Sequence, residues 1–111
     1  VVVEIATRES TIVSKIARGL KGEFGPLIKF IKIHGDPYMP SGTPDLIGTL
    51  KGRAFVLEAK NEVYKPEPIQ IAELEEWEEA GAIVGIVKSL AEAVVALNEP
   101  KQLEFYLKDY I

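Results

Sequence analysis

The sequence predicts an α/β fold: a sandwich built on one sheet, with elements in the order α-β-β-β-α-β-α-α. Three observations carry that expectation. Residues 9–22 repeat their apolar positions with a helical period. Two apolar runs, Asp45 to Leu50 and Arg53 to Lys60, are joined only by Lys51-Gly52, which is hairpin spacing. Beyond them a helix-period segment, Glu67 to Ala80, leads into a short aliphatic run, Ala82 to Val87.

Each element follows from its residues. On a wheel of about 100° per residue, Ile12, Val13, Ile16, Ala17 and Leu20 fall on one side, and Ser14, Lys15 and Arg18 on the other. Glu9 falls on the apolar side, in line with Val13 and Ile16. Glycines and a proline in residues 21–26 end this helix. Leu27 to His34, short and rich in Ile and Phe, reads as a strand. Gly35 to Pro44 is a loop, because its glycines and prolines leave no room for regular structure. Ala54-Phe55-Val56-Leu57 does not alternate, as expected of a strand covered on both faces. The second helix has Pro68 in its first turn and Gly81 past its end. Ser89-Leu90-Ala91-Glu92 has capping-box spacing and opens a third helix. Pro100 begins a fourth, with Leu103, Tyr106, Leu107 and Tyr110 as its apolar side. That stripe is expected either to cover the sheet or to meet a second copy of the chain.

The 111 residues and 12.2 kDa suit one domain, residues 1–111, without a linker to another. With no Cys and one His, neither a disulfide framework nor a Cys/His zinc site can be assembled. A bound metal would therefore take oxygen ligands, pointing to Mg²⁺, Mn²⁺ or Ca²⁺. No apolar run approaches the roughly 20 residues that span a bilayer. Val1-Val2-Val3 meets Glu4 at once, unlike a signal-peptide core. The lack of Cys fits a reducing compartment, and a cytoplasmic location is expected. Net charge is −4, which argues against a protein that coats nucleic acid indiscriminately. The charge is split: residues 1–65 carry +3 and residues 66–111 carry −7. A surface for a polyanion should come from the first half.

Gly42-Thr43-Pro44-Asp45 and Glu58-Ala59-Lys60 hold the chemistry. Asp45 starts one hairpin strand and Glu58 nearly ends its partner, so the two carboxylates are placed to converge. Glu58 and Lys60 share a strand face with Val56. Two acids and a lysine at the mouth of a buried sheet are costly unless paired or bound to a metal.

Pro44-Asp45, a gap of 12 residues and Glu58-Ala59-Lys60 resemble the PD-(D/E)XK nuclease superfamily, whose core is also α-β-β-β-α-β. Within it the chain resembles the VRR-NUC family, through Gln70, then Leu74 and Trp77, Gly81 and the strand Ile83-Val84-Gly85-Ile86-Val87. The likeness covers residues 9–95 and leaves the last helix unexplained. Leu74 stands where the superfamily's Gln-x-x-x-Tyr pattern has Tyr, so a hydroxyl contact is not expected there. The resemblance implies a restriction-endonuclease-like αβββαβ sandwich with a mixed central sheet, here with additional C-terminal helices. It implies that Asp45, Glu58 and the Ala59 carbonyl hold Mg²⁺, with Mn²⁺ as substitute. Glu9 would join directly or through water, with Glu4 in reserve. Lys60 would orient the attacking water or stabilise the transition state, and Gln70 would complete the catalytic set. Stand-alone members of the family look like branched-DNA endonucleases related to Holliday-junction resolvases, often encoded by phages and so active in a bacterial host cell. Two cuts from one site per chain imply a homodimer.

Plainer roles stand beside these. Asp45 after Pro44 is also an ordinary turn residue, and Glu58 with Lys60 an internal ion pair. Gln70 could simply cap strand ends. His34, Lys29, Lys32, Lys51, Arg53 and Lys65 are candidate phosphate contacts or a solvated face. Glu73, Glu75, Glu76, Glu78 and Glu79 read as the outer side of a surface helix. A catalytically silent DNA-binding relative and an acidic interaction module are the two other functional classes; the charge of the second half fits the latter.

Overall fold

The computed structural model describes residues 7–34 and 38–110; Glu4 lies outside them. Its elements are α1 (Glu9–Phe24), β1 (Ile28–Lys32), β2 (Leu46–Leu50), β3 (Arg53–Ala59), α2 (Pro68–Glu79), β4 (Ile83–Val87), α3 (Leu90–Asn98) and α4 (Leu103–Leu107). Single 3₁₀ turns follow α1 and α4. The strands form one mixed sheet in the order β1-β2-β3-β4, antiparallel except for the parallel β3–β4 pair.

The β2–β3 hairpin closes through Lys51 (φ 51°) and Gly52 (φ 84°). Positive φ at both central residues is the two-residue turn whose twist matches that of its strands. That turn fixes the register Leu46↔Leu57 and Leu50↔Arg53. The extension of β3 past Leu57 therefore runs alongside the residues just before β2.

Side chains alternate across β3 and are buried on both sides. Phe55, Leu57 and Ala59 meet Ile12, Val13, Ile16 and Leu20 of α1 and Ala93, Ala96 and Leu97 of α3. Val56 meets Leu74 of α2, Val84 and Ile86 of β4 and Leu103 of α4. The first-helix stripe is thus the predicted one, with Ala17 packed at its margin. Edge strand β1 is less well covered: Ile28 is buried, whereas Ile31 is 59% exposed.

Two expectations are corrected, and one open alternative is resolved. Helix α1 passes through Gly22 and ends at Phe24, because the chain turns only at Gly25, whose N–H bonds to the Lys21 carbonyl. The fourth helix does not begin at Pro100. Residues 100–102 have no regular structure, and the Leu103 N–H is taken by the Glu78 carboxylate at 2.6 Å, leaving a helix of five residues. Its apolar stripe covers the sheet: Leu103 is buried beside Val56 and Val84, with Tyr106, Leu107 and Tyr110 packed against them.

Phe55, fully buried at the centre of the α1 side, tests this packing. Phe55→Ala should cost about 3–5 kcal/mol, read as a lowered urea midpoint.

Candidate active site

Asp45 is held from three directions. Its carbonyl accepts the Ile33 N–H at 2.8 Å, which continues the β1–β2 pairing by one step. The preceding Pro44 is fully buried. Gly42, at φ 82°, lets the loop lie against the Ile69 backbone of α2, where a Cβ would come within 2.7 Å of that carbonyl oxygen. So fixed, Asp45 Oδ2 accepts the Ala59 N–H at 2.8 Å. The two ends of the hairpin do converge.

Glu58 sits beside Ile86 in the parallel β3–β4 register and on the Val56 face, toward α2. Gln70, in the first turn of α2, reaches its Oε1 through Nε2 at 3.4 Å. The other end of that amide accepts the Glu67 N–H at 2.9 Å, which fixes its orientation. Gln70 thus caps its own helix and meets Glu58, rather than capping strand ends.

Lys60, 5% exposed, lies between two acids: its Nζ is 3.5 Å from Glu9 Oε1 and 3.9 Å from Glu58 Oε1. Its N–H bonds to the Val87 carbonyl, extending the β3–β4 pairing. Glu9 is thereby brought into the site from the apolar side of α1, but as a partner of Lys60. Its second oxygen accepts the Asn61 N–H at 3.4 Å.

Sequence reasoning passed over Asn61, which is buried. Its side chain donates to the Thr7 carbonyl at 3.1 Å and accepts the Val63 and Tyr64 N–H groups at 2.9 and 3.0 Å. It locks the chain leaving β3 to the start of α1. An Asn directly after a strand, in a short polar segment, is the turn signal that could have found it. The acidic run of α2 is also not wholly an outer face: Glu73 accepts the Trp77 Nε1–H at 3.2 Å, and Glu78 holds α4.

Of the residues the motif singled out, Glu9, Asp45, Glu58, Ala59, Lys60 and Gln70 all lie at one end of the sheet. Helices α1, α2 and α3 start at this end, and the positive ends of their dipoles favour negative charge here. Among the described residues no three His, Cys, Asp or Glu side chains are grouped closely enough to make a metal cage. The Asp45–Glu58 pair fits a different kind of cation site. Glu58 Oε2 is buried and, among the described residues, meets no hydrogen-bond donor. Mg²⁺ is usually held by one or two carboxylates, with water and phosphate oxygens completing its shell. An all-oxygen pair with one orphaned oxygen suits such an ion.

The chain is similar to a solved structure described as a VRR_NUC domain. The two are 27% identical and superpose with a TM-score of 0.63, over 84% of this chain and 98% of that one. No protein-family model and no curated protein matches the chain.

Burial, and then a side-chain hydrogen bond and the negative charge of Asp45, push the Glu58 carboxyl up to about 9, against the pull of Lys60. Glu58 therefore keeps a proton at neutral pH while the unfolded chain, with an ordinary value of 4.5, has lost it. The native state binds more protons between those values, so stability is fully present below the lower one and drains as pH rises through the upper one. In EDTA, the melting temperature should fall as pH is raised from 5 to about 9. Glu58→Gln, which keeps the shape without the charge, should flatten that slope and melt above the wild type at pH 8. Parallel slopes for the two proteins would refute the assignment.

Proposed function

We propose that this chain, which belongs to the VRR-NUC family and has the restriction-endonuclease-like fold, is a metal-dependent deoxyribonuclease whose single domain spans residues 1–111. The observation that carries this reading is the buried Glu58 carboxyl next to Asp45: its Oε1 faces Lys60 and Gln70, and its Oε2 meets no donor among the described residues. Asp45, Glu58 and the Ala59 carbonyl are the proposed ligands of Mg²⁺, or of Mn²⁺ in its place, with Glu9 joining directly or through water. The ion, when bound, supplies Lewis acidity to the phosphate and acidifies water.

The chain's own groups then have distinct tasks. Asp45 and Glu58, rigid through the Ala59 N–H and the Gln70 amide, set the position of the ligand oxygens before substrate arrives, and Glu58 would give up its proton when the cation binds. Lys60 offers a point charge either to orient the attacking water or to stabilise the phosphorane-like transition state. Glu9 restrains the Lys60 ammonium, so that Lys60 is aimed rather than merely charged.

The proposed substrate is DNA, specifically branched DNA such as Holliday junctions, cut by a homodimer in the cytoplasm. One chain carries one site, and a two-fold pair of chains spaces two cuts across a junction. Because the α4 stripe is spent on the sheet, the dimer must use another face.

A panel of four-way junction, flap, linear duplex and single strand tests the reading. Cleavage is expected with Mg²⁺ or Mn²⁺ and not with EDTA, and fastest on the junction. Asp45→Ala and Glu58→Ala should each abolish it in a folded protein. Retention of more than about a tenth of the rate, a loss under roughly 1.4 kcal/mol, would remove that residue from the site. Sedimentation at micromolar concentration should give a dimer.

A further inference from the structure

A cleft of about 380 Å³ opens from the acids between the start of α1 and the end of β1, and its basic and hydroxyl side chains have no task in the metal-site reading. Asp45 and Glu9 line it together with Lys32, His34, Ser10 and Ser14. The alternation of β1 explains which basic residues reach it. Lys32 shares the α1 face of the sheet with Ile28 and Phe30, and its Nζ donates to Ser14 Oγ at 3.3 Å. Lys29 points to the opposite face. Lys51 and Arg53 lie at the hairpin turn, the other end of the sheet, where Arg53 donates to the Gly81 carbonyl. Of the basic residues that sequence alone left equivalent, Lys32 and His34 line the cleft beside the acids, and Lys32 is also tied to α1 through Ser14.

We infer that this cleft is a backbone subsite, in which Lys32, His34 and the two serines hold the phosphate next to the scissile one. The inference rests on the nuclease reading and deepens it. A phosphodiester brings acceptor oxygens only, and the cleft opposes them with an ammonium, an imidazole and two hydroxyls. Glu9 and Asp45 close its inner side, where negative charge repels phosphate unless a cation intervenes. The nucleic-acid strand accordingly enters along the α1–β1 side and crosses Asp45 toward Lys60. Lys32 is exposed, so its charge stays available to a ligand even while Ser14 steadies it.

Binding in Ca²⁺, which suppresses turnover, separates this inference from cleavage. Labelled DNA and RNA single strands of equal length and a DNA duplex are titrated over a series of salt concentrations. For duplex, Lys32→Ala should lower the slope of log K against log salt by about 0.9 and weaken binding about tenfold at 0.1 M salt. Lys32→Arg should restore both. Lys101→Ala, which removes the same charge at the far end of the sheet, should match the wild type. In Mg²⁺, Lys32→Ala and His34→Ala should raise KM and leave kcat within about twofold. Equal losses with RNA and DNA would assign the cleft to phosphate alone, and a larger loss with one would show that it also reads the sugar. A Lys32→Ala slope equal to that of Lys101→Ala, or a fall in kcat alone, overturns the subsite while leaving the nuclease standing. A wild type that binds and cuts nothing overturns the nuclease reading itself.

Discussion

Glu58 is a carboxylate placed where a sheet protein would ordinarily place an aliphatic residue: inside a strand buried on both faces, beside Ile86 and within reach of a second acid. Holding its charged form away from water would cost several kcal/mol, which is why burial favours the protonated acid. The surrounding structure is arranged around that constraint. Lys60 is buried with it, Glu9 balances Lys60, and Asn61 ties both to the start of α1. Gln70 approaches from α2 and Asp45 from the loop before β2. Each contact fastens a different element to the end of β3, so the groups that hold the acid also hold the fold. What remains unsatisfied, one carboxylate oxygen, marks where a ligand would complete the arrangement.

The fold was legible wherever local pattern and tertiary environment agree. The first-helix stripe, the Lys51-Gly52 turn and the unbroken apolar run of β3 each had one stable use, and each took it. Ser89 shows the agreement at atomic scale: its hydroxyl accepts the Glu92 N–H at 3.1 Å, as the capping spacing requires, although the Glu92 carboxylate returns to the Lys88 N–H. Legibility ended where a distant residue decided the outcome. Nothing near Pro100 says that Glu78, on another helix, will take the Leu103 N–H and set the start of α4. The site followed the same rule. Asp45 and Glu58 converge because hairpin register is local, and Glu9 was visible as a carboxylate on an apolar face. That Glu9 pairs with Lys60, and that Asn61 joins them, depends on how α1 docks across the sheet, which one-dimensional spacing does not encode.

The charge asymmetry acquires a structural sense. The acids of the second half are concentrated on α2, and two of them serve the interior by holding Trp77 and α4. The remaining exposed acids line the far side of that helix, away from the α1–β1 cleft. A polyanion approaching the molecule is repelled from one face and accepted on another, so overall negative charge orients the encounter instead of preventing it.

Strand β1 carries a different consequence. Among the described residues it ends the sheet, with one row of its backbone groups facing no further strand, and Leu27 and Ile31 are exposed beside them. Such an edge is a template on which another chain can extend the sheet, the first step of aggregation. Its brevity, five residues, and its lysines at positions 29 and 32 oppose that outcome, because a second copy added in register would bring like charges together. Lys32 then serves colloidal stability as well as chemistry, and a strand enriched in Val or Thr at these positions would make a better β-former and a less soluble protein.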